Sequence, residues 1–314
     1  MILSLIIPFY NASQYMPVCI SSLKKQLTEN MELLLINDGS NDGSDELCEK
    51  LIDGWSIARI INQNHCGVAV ARQIGLKEAH GKYLLYIDAD DEVSLTMIGE
   101  MLKCAESNDA DMVICDYKEL TPEGEILCRQ QPSSLDGVSV LDDILTGKLH
   151  GALWNKLLRR EWLLESKAHF PQMLSMREDL VFLSQCLPTV QRIAYLPKAL
   201  YVYNRLNSAS LTSNYLDESA DYYQQEVMWI KCILPNKALK QSTRLKLQSY
   251  YCELAYITLR HDLFTKKQWH DVFAGDTQDL LSSGRDYKQL IVWLALHRCY
   301  YLATFLRTLL SKIR

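Results

Sequence analysis

The sequence predicts an α/β fold in which a doubly wound, mostly parallel sheet flanked by helices is followed by an all-α C-terminal region. The first 120 residues contain five apolar runs, separated by stretches in which apolar residues recur at the spacing of a helix. The runs do not alternate between apolar and polar residues, so we expect strands that are buried on both faces. From Tyr215 onward the sequence has no strand signal. Strand and helix repetition followed by helices alone indicates a parallel sheet and then a helical domain.

The predicted elements follow one another in a regular order up to about residue 120. The strands are LSLIIPF, MELLLIN, SIARIIN, KYLLYID and ADMVICD. The helices between them are expected at residues 13–27, 44–51, 68–79 and 95–107. Residues 121–207 are less regular, with strand-like segments at 192–196 and 200–203. A boundary near residues 211–215 gives two domains, 1–212 and 213–314.

Net charge, cysteine spacing and the length of apolar runs limit the classes of protein to which the sequence can belong. The 314 residues carry a formal net charge of -5, which gives no sign of nucleic-acid binding. The ten cysteines contain no C-x-x-C pair and fit a reducing compartment. The N-terminal MILSLIIPFYN has no basic segment or cleavage pattern, and the apolar run Ile291–Leu296 is too short to span a bilayer. We therefore expect a cytoplasmic protein without nucleic-acid partners.

Polar residues follow the predicted strands at the points where they end. Pro8 and Tyr10 belong to the end of the first run, Asp38 follows the second, and Asp88 and Asp90 follow the fourth. Ligands of doubly wound sheets bind outside the carboxyl ends of the strands. The sequence therefore predicts one ligand site along this edge of the sheet.

The stretch YIDADDE gathers Asp88, Asp90 and Asp91 directly after an apolar strand. Three ionised carboxylates at this spacing repel one another, whereas a bound cation would explain their presence. Mg²⁺ and Mn²⁺ prefer oxygen ligands and keep waters or substrate phosphates in their shell. So few protein ligands indicate a metal held jointly with a diphosphate. A solvated acidic turn that caps the helix beginning near Ser94 explains the same pattern without a metal.

Other candidate residues each have two interpretations. Asp38 in INDGSNDGS fits a turn with a helix cap, and equally a hydrogen bond to a nucleotide base or ribose. Arg72 in GVAVARQIG fits a surface arginine, or a cation that reaches a phosphate or a base. Glu178 and Asp179 fit the acidic first turn of a helix, or a general base for an acceptor hydroxyl. Arg205 lies in a polar loop that either only connects elements or closes over phosphates.

Taken together, these segments resemble a family 2 glycosyltransferase of the GT-A fold, whose sheet is Rossmann-like. The matching segments are IPFYN, LLLINDGSNDGS, NHCGVAVARQIGLKEAHGKYLLYIDADD, WNKLLRREWL and REDLVFL. The resemblance covers residues 1–120 well, residues 121–210 in part, and nothing beyond about 215. Two positions depart from the family pattern. Gln73 stands where asparagine is usual, and His65 with Cys66 replaces more typical polar residues, which puts the shape of the donor pocket in doubt.

The resemblance implies a nucleotide-sugar donor, a divalent cation (Mn²⁺ or Mg²⁺) and an inverting single displacement. Asp90, with help from Asp88, would hold the metal. A cation there would stabilise the charge that develops on the departing diphosphate. Asp179, or in second place Glu178, would deprotonate the acceptor.

The remaining implied roles concern the donor. Asp38 would hold the base or ribose in a pocket shaped by Pro8 and Tyr10, and Arg72 would support the base or diphosphate. Trp154 and Lys156 would border a sugar, while Arg205 would close over the phosphates. Uridine diphosphate is the carrier that the resemblance favours. A glycan or lipid-linked acceptor in cell-surface polysaccharide synthesis completes this expectation.

The C-terminal end suggests a further partner. Residues 285–314 contain six basic residues against one acidic residue, interleaved with aromatic and leucine side chains. A helix of this kind can lie in a membrane interface, so it would dock the enzyme at the inner face of the plasma membrane. A packed terminal helix with a basic outer face explains the composition equally well.

Two other functions use related folds. A sugar nucleotidyltransferase would need a glycine-rich phosphate loop after the first strand, which is not present. A non-catalytic nucleotide-sugar binder would not need Asp88, Asp90 and Asp179. A phosphatase of the D-x-D-x-T type is excluded, because Glu92 and Val93 follow Asp91.

Overall fold

The computed structural model of the chain describes residues 1–207, 219–273 and 287–296, together with Tyr300 and Ala303. These residues form two compact units, Met1–Ser213 and Asn214–Arg314. The first contains a single sheet with helices, and the second is helical in its described part. The predicted α/β fold with a helical C-terminal region is confirmed.

The strands and helices of the first unit alternate as the sequence predicts. Its strands are β1 (Leu3–Phe9), β2 (Met31–Asn37), β3 (Ala58–Asn62), β4 (Tyr83–Tyr86), β5 (Glu92–Val93), β6 (Met112–Thr121), β7 (Gly124–Cys128), β8 (Lys156–Arg159) and β9 (Ile193–Asn204). Its helices are α1 (Met16–Lys24), α2 (Ser44–Leu51), α3 (Val68–Glu78), α4 (Met97–Ser107), α5 (Gly137–Leu145), α6 (Arg160–Ser166) and α7 (Glu178–Cys186). A short 3₁₀ helix, Leu187–Thr189, follows α7.

The strand order is β3-β2-β1-β4-β8-β6-β9-β5, and β7 pairs with β6. Strands β1 to β4 pair in parallel, as expected for βαβ units. Beyond β4 the sheet becomes mixed, since β8 runs antiparallel to both β4 and β6 while β9 is parallel to β6. The sheet is therefore less parallel than the first 120 residues indicate. Four residues of β8 are too few to give a periodic signal in the sequence.

The core of the first unit explains why its strands show no alternation. Every residue of β1, β2 and β4 is buried, because helices cover both faces of this part of the sheet. The helices contribute their apolar faces, such as Met16, Cys19, Ile20 and Leu23 of α1. The rigid central strands thus hold the loops at their carboxyl ends in fixed positions.

The second unit contains α8 (Ala220–Ile233), α9 (Gln241–Arg260), α10 (Lys266–Phe273) and α11 (Tyr287–Leu296). Its core includes the fully buried Trp269, which packs against Phe273. Within the described part of the chain, no helix combines the length and apolar character needed to cross a bilayer. Most of the basic residues counted between 285 and 314 lie outside the described residues, so the membrane-docking hypothesis stays a prediction.

Candidate active site

The carboxyl ends of β1 to β4 meet at one edge of the sheet. Phe9 pairs with Asn37, and Asn37 in turn pairs with Asn62. Strand β4 lies on the other side of β1, with Tyr86 opposite Ile6. The residues that follow these ends therefore share one edge: Tyr10, Asp38, Gln63 and Asp88. Helix α7 delivers a second set of polar side chains to this edge.

A buried arginine on α3 forms the centre of the site. Arg72 is 4% exposed, and its Nη2 donates to Asp88 Oδ1 at 2.8 Å. Its Nη1 contacts Glu178 Oε1 and lies 2.9 Å from Asp179 Oδ1. Burial alone would lower the pKa of Arg72, but the charges of Asp179, Asp88 and Glu178 outweigh it and raise that pKa above its ordinary value. Arg72 therefore stays charged and joins the loop after β4 to the start of α7.

Glu178 and Asp179 occupy the first turn of α7, where a helix N-terminus favours negative charge. The residue before them, Arg177, is left-handed with φ of +62°, which is uncommon for a residue other than glycine. Asp179 Oδ2 also accepts a hydrogen bond from the backbone N–H of Leu153 at 3.2 Å. Burial raises the pKa of Glu178 to about 7 and also raises the pKa of Asp179. Carboxylates with a raised pKa accept a proton more readily, as a general base requires.

The loop between β4 and β5, residues 87–91, contains Asp88, Asp90 and Asp91 and is called the acidic loop below. Its three aspartates have different surroundings. Asp91 is fully buried, and its Oδ2 accepts from Tyr201 Oη at 2.6 Å while its Oδ1 accepts from Asn204 N at 2.7 Å. Tyr201 Oη also accepts from the backbone N–H of Asp88 at 3.2 Å. Burial, followed by the charges of Asp88 and Asp90, raises the pKa of Asp91. Asp91 thus anchors the loop to the end of β9.

Asp88 and Asp90 each keep one carboxylate oxygen that has no protein partner among the described residues. Asp88 uses Oδ1 for Arg72, and Asp90 uses Oδ2 to accept from Asn207 Nδ2 at 2.8 Å. Burial, and then the charge of Asp88, raises the pKa of Asp90, so this position favours a neutralising cation. Oxygen donors of this kind fit Mg²⁺ or Mn²⁺. Within the described ranges, no three His, Cys, Asp or Glu side chains could hold a metal together, so the remaining ligands would come from a diphosphate or water.

The protein itself compensates part of the charge that the sequence alone attributes to a cation. Arg72 pairs with Asp88, Asn207 donates to Asp90, and Tyr201 donates to Asp91. These partners come from α3 and from the end of β9. The protein thus neutralises part of the acidic cluster itself, although Asp88 and Asp90 retain oxygens that could bind a cation.

Asp38 organises the loop between β3 and α3. Its Oδ1 accepts from the backbone N–H of Cys66 at 2.8 Å, and its Oδ2 accepts from that of Gly67 at 2.9 Å. His65 Nδ1 lies 3.0 Å from Asp38 Oδ2. Gly39 is left-handed, and a Cβ there would lie 2.8 Å from the backbone nitrogen of His65. Both oxygens of the Asp38 carboxylate thus hold this loop, and the contact of Asp38 with a base or ribose stays a prediction.

Tyr10 and His65 form an exposed aromatic surface at the same edge. Their ring centroids lie 4.1 Å apart with an interplanar angle of 28°. Tyr10 is 44% exposed, whereas Pro8 is buried within β1. An accessible aromatic ring beside the ends of β1 and β3 suits stacking with a planar base. His65, which departs from the family pattern, is thus part of this surface.

Trp154 and Lys156 are buried, at 2% and 0% exposure. Lys156 Nζ donates to the carbonyl oxygens of His150 and Ala152 and to Asn155 Oδ1, at 2.9, 2.6 and 2.7 Å. Burial lowers the pKa of Lys156 to about 7. Both side chains therefore support the segment that carries Leu153, and their predicted contact with a sugar stays a prediction.

Trp154 also supports the acidic loop indirectly. Its ring stacks on Tyr201, with centroids 4.4 Å apart and an interplanar angle of 11°. Tyr201 in turn bonds Asp91 and the backbone of Asp88. Trp154 thus holds the tyrosine that fixes the loop.

Two further sequence candidates have defined partners. Arg205 is half-exposed and donates from Nη1 to Glu119 Oε2 at 3.1 Å. Its predicted closure over phosphates stays a prediction. Gln73 Oε1 accepts from the backbone N–H of Phe170 at 3.0 Å, so this departure from the family pattern ties α3 to the segment before α7.

Sequence reasoning missed Tyr15 and Tyr201, although both contribute to the acidic loop's surroundings. Tyr15 Oη donates to Asn207 Oδ1 at 2.9 Å, and Tyr201 bonds Asp91. Tyr15 and Asn207 are 192 positions apart in the chain, and Tyr201 and Asp91 are 110 positions apart. No local pattern signals contacts at such separations.

Comparison with known proteins identifies the family. The model of glycosyl transferase family 2 matches residues 4–163, just over half of the chain. The chain belongs to glycosyl transferase family 2. The matched segment contains the acidic loop, Asp38 and Arg72, while Glu178 and Asp179 lie just beyond it. The predicted family and the prediction of a glycosyltransferase are thereby confirmed.

Individual relatives agree with this assignment. The enzyme is 29% identical to the uncharacterised glycosyltransferase EpsJ of Bacillus subtilis over 80% of this chain and 75% of EpsJ. It is 29% identical to the cholesterol galactosyltransferase of Borreliella burgdorferi over 69% of this chain and 64% of that protein. A crystal structure of S. aureus TarS 1-349 in complex with UDP-GlcNAc matches with a TM-score of 0.70 at 17% identity, over 100% and 93% of the two chains. This likeness confirms the GT-A fold.

The buried pair at the start of α7 predicts a specific pH dependence of stability. The folded-state pKa of Glu178 is raised from 4.5 to about 7, so the folded chain binds this proton more tightly than the unfolded chain. Raising the pH through this window therefore costs the wild-type protein stability. Glu178→Gln removes this cost. The free energy of unfolding of the variant, relative to wild type, should rise by about 1–3 kcal/mol between pH 4.5 and 7 and then level off.

Urea unfolding at pH 5, 6, 7 and 8 measures this difference. Glu165→Gln, the same substitution at an exposed position of α6, is the matched control, and the pH dependence of Glu178→Gln should exceed that of this control. A flat difference for Glu178→Gln would show that Glu178 does not carry a raised pKa.

Proposed function

We propose that the enzyme transfers a hexosyl or N-acetylhexosaminyl group from a nucleoside-diphosphate donor to a hydroxyl group, with inversion and with a divalent cation. The supporting observation is the buried cluster in which Arg72 joins Asp88 to Glu178 and Asp179. The cluster links a carboxylate suited to cation binding with a pair suited to proton transfer. A transferase that activates a hydroxyl while a diphosphate departs needs both.

Asp88 and Asp90 would hold Mn²⁺ or Mg²⁺ through the oxygens that have no protein partner among the described residues. When bound, such a cation supplies positive charge where the diphosphate leaving group becomes more negative. The protein's own part is to keep these two carboxylates adjacent. Arg72, Asn207 and the Tyr201–Asp91 contact do this.

Asp179 would act as the general base. Burial raises its pKa, and the hydrogen bond from Leu153 N holds its Oδ2. In an inverting displacement the acceptor oxygen attacks the sugar carbon, the bond to the diphosphate breaks, and the acceptor's proton passes to the carboxylate. Glu178 is the alternative base, since it shares Arg72 and lies in the same helical turn.

The donor would be a UDP-sugar, with its base near Tyr10, His65 and Asp38. Support comes from the exposed stack of Tyr10 on His65 at the edge of the sheet. The UDP-GlcNAc in the TarS structure supports this choice of carrier. The acceptor would be a glycan or lipid-linked hydroxyl of a cell-surface polysaccharide. The cholesterol galactosyltransferase among the relatives supports a lipid-borne acceptor, which would place the enzyme at the inner face of the plasma membrane.

The cation site can be tested by ligand-induced stabilisation. A ligand that binds only the native state raises the unfolding temperature by mass action. A thermal-shift titration with UDP-GlcNAc should give a larger shift with Mn²⁺ than without it. Asp90→Asn should lose the Mn²⁺-dependent part of the shift and keep the remainder. A variant that retains the full Mn²⁺-dependent shift would remove Asp90 from the metal site.

The general base can be tested by donor hydrolysis, in which water replaces the unknown acceptor. Asp179→Asn should lower the rate constant for UDP-GlcNAc hydrolysis by about 10²–10⁴-fold, because a positioned base contributes that much. Affinity for UDP should change little, since the diphosphate does not need this carboxylate.

Glu178→Gln and the exposed Glu165→Gln are measured in parallel. Glu178→Gln should be slowed less than Asp179→Asn, and Glu165→Gln should keep the wild-type rate. If Glu178→Gln were the slower of the two cluster variants, the base would be Glu178. If neither were slowed, the enzyme would not use this pair for proton transfer.

A further inference from the structure

We propose that Asn207, oriented by Tyr15, is a positioning residue that fixes the carboxylate of Asp90 for the cation and the donor diphosphate. The proposal rests on the proposed function, because it concerns the same cation site. Neither residue belongs to the motifs that carry the family resemblance. Tyr15 lies near the start of the first unit's sequence and Asn207 lies near its end.

The amide of Asn207 is held at both of its ends. Its Oδ1 accepts a hydrogen bond from Tyr15 Oη at 2.9 Å, and its Nδ2 donates to Asp90 Oδ2 at 2.8 Å. Because a carboxylate accepts hydrogen bonds, the amide turns its Nδ2 toward Asp90, and the Tyr15 hydroxyl holds the opposite end by donating to Oδ1. Asn207 is 8% exposed, so water competes little for these bonds. Tyr15 itself lies at the N-terminal cap position of α1, a fixed point beside the site.

The acidic loop has separate supports for its backbone and for its side chains. Asn204 Nδ2 donates to the backbone carbonyl of Asp90 at 3.1 Å, and Tyr201 and Asn204 hold the side chain of Asp91. Asp88 is held by Arg72. Among the described residues, Asn207 is the one side chain that donates a hydrogen bond to the carboxylate of Asp90. Without it, the carboxylate can rotate among its staggered conformations.

The chemistry of an amide suits this role better than a charged group would. A lysine or arginine would neutralise Asp90 and compete with a cation for it. A second carboxylate would repel Asp90 and add negative charge to an already acidic loop. Asparagine donates one hydrogen bond without changing the charge. It thus orients Asp90 through the bond to Oδ2 and leaves Oδ1 for another ligand.

Partners that orient a metal-binding side chain typically matter about 10–100-fold for metal affinity. We therefore expect Asn207→Ala to weaken Mn²⁺ binding in the presence of UDP by about tenfold or more. Tyr15→Phe leaves the amide in place but frees its orientation, so it should weaken binding less than Asn207→Ala. Asn108→Ala, the same substitution at the exposed end of α4, is the matched control and should bind like wild type.

Electron paramagnetic resonance of free Mn²⁺, titrated with full-length protein and UDP, measures the affinity without any enzymatic turnover. The free energy of unfolding without metal is measured for each variant, and affinities are expressed per folded molecule. A purely structural role predicts lower stability with an unchanged Mn²⁺ affinity, which would overturn the proposal. If Asn207→Ala does not fold, Tyr15→Phe decides, and wild-type affinity in that variant would overturn it equally.

Asp90→Asn separates this proposal from the proposed function. If wild type binds Mn²⁺ with UDP, Asp90→Asn does not, and Asn207→Ala binds like wild type, then only the role of Asn207 is wrong. If wild type shows no UDP-dependent Mn²⁺ binding, the cation site and the role of Asn207 are both wrong.

Discussion

The site depends on one buried guanidinium that three carboxylates share. Arg72 of α3 contacts Asp88 of the loop after β4, and Glu178 and Asp179 of α7, which lie more than 100 positions further along the chain. Removing such charges from water costs several kcal/mol for each ion unless they are paired. The pairing therefore sets where the acidic loop and the start of α7 lie relative to each other. The carboxylates proposed for cation binding and for proton transfer are neighbours for this reason.

The contact of Arg72 with Asp88, Glu178 and Asp179 also explains why this cluster favours additional positive charge. One guanidinium cannot neutralise three carboxylates, and Asp90 adds a fourth nearby. Part of the excess is relieved because burial raises the pKa of Glu178 to about 7 and that of Asp179 above its usual range. The rest remains at Asp88 and Asp90, which keep oxygens without protein partners among the described residues. A divalent cation and an anionic donor together complement this pattern.

Local sequence signals predicted the sheet and the position of the site because both follow from short segments. The apolar runs of β1 and β2 have no alternation, since helices bury both faces, and the polar residues after them mark the ligand edge. The mixed half of the sheet could not be predicted, since β8 has only four residues. The burial of Lys156 could not be predicted either, because lysine side chains are usually exposed. Lys156 is an exception because three acceptors in its own segment bind its Nζ.

Long-range contacts set the remaining features. Tyr201 and Asn207 reach the acidic loop from β9 and its end, and Tyr15 reaches Asn207 from α1. Such partners are chosen by the tertiary fold, so no spacing within the chain reports them. They also show that the protein itself balances part of the charge of the acidic loop.

The most direct test of this account is the free energy of unfolding of Arg72→Met, compared with wild type at pH 8 and pH 5 without metal. At pH 8 the variant leaves buried carboxylates without their counterion, so we expect a loss of about 3–5 kcal/mol. At pH 5 the loss should be clearly smaller, because Glu178, whose pKa is raised to about 7, is then protonated and the variant leaves less buried negative charge without a counterion. A loss below about 1 kcal/mol, or an equal loss at both pH values, would contradict the central role of Arg72.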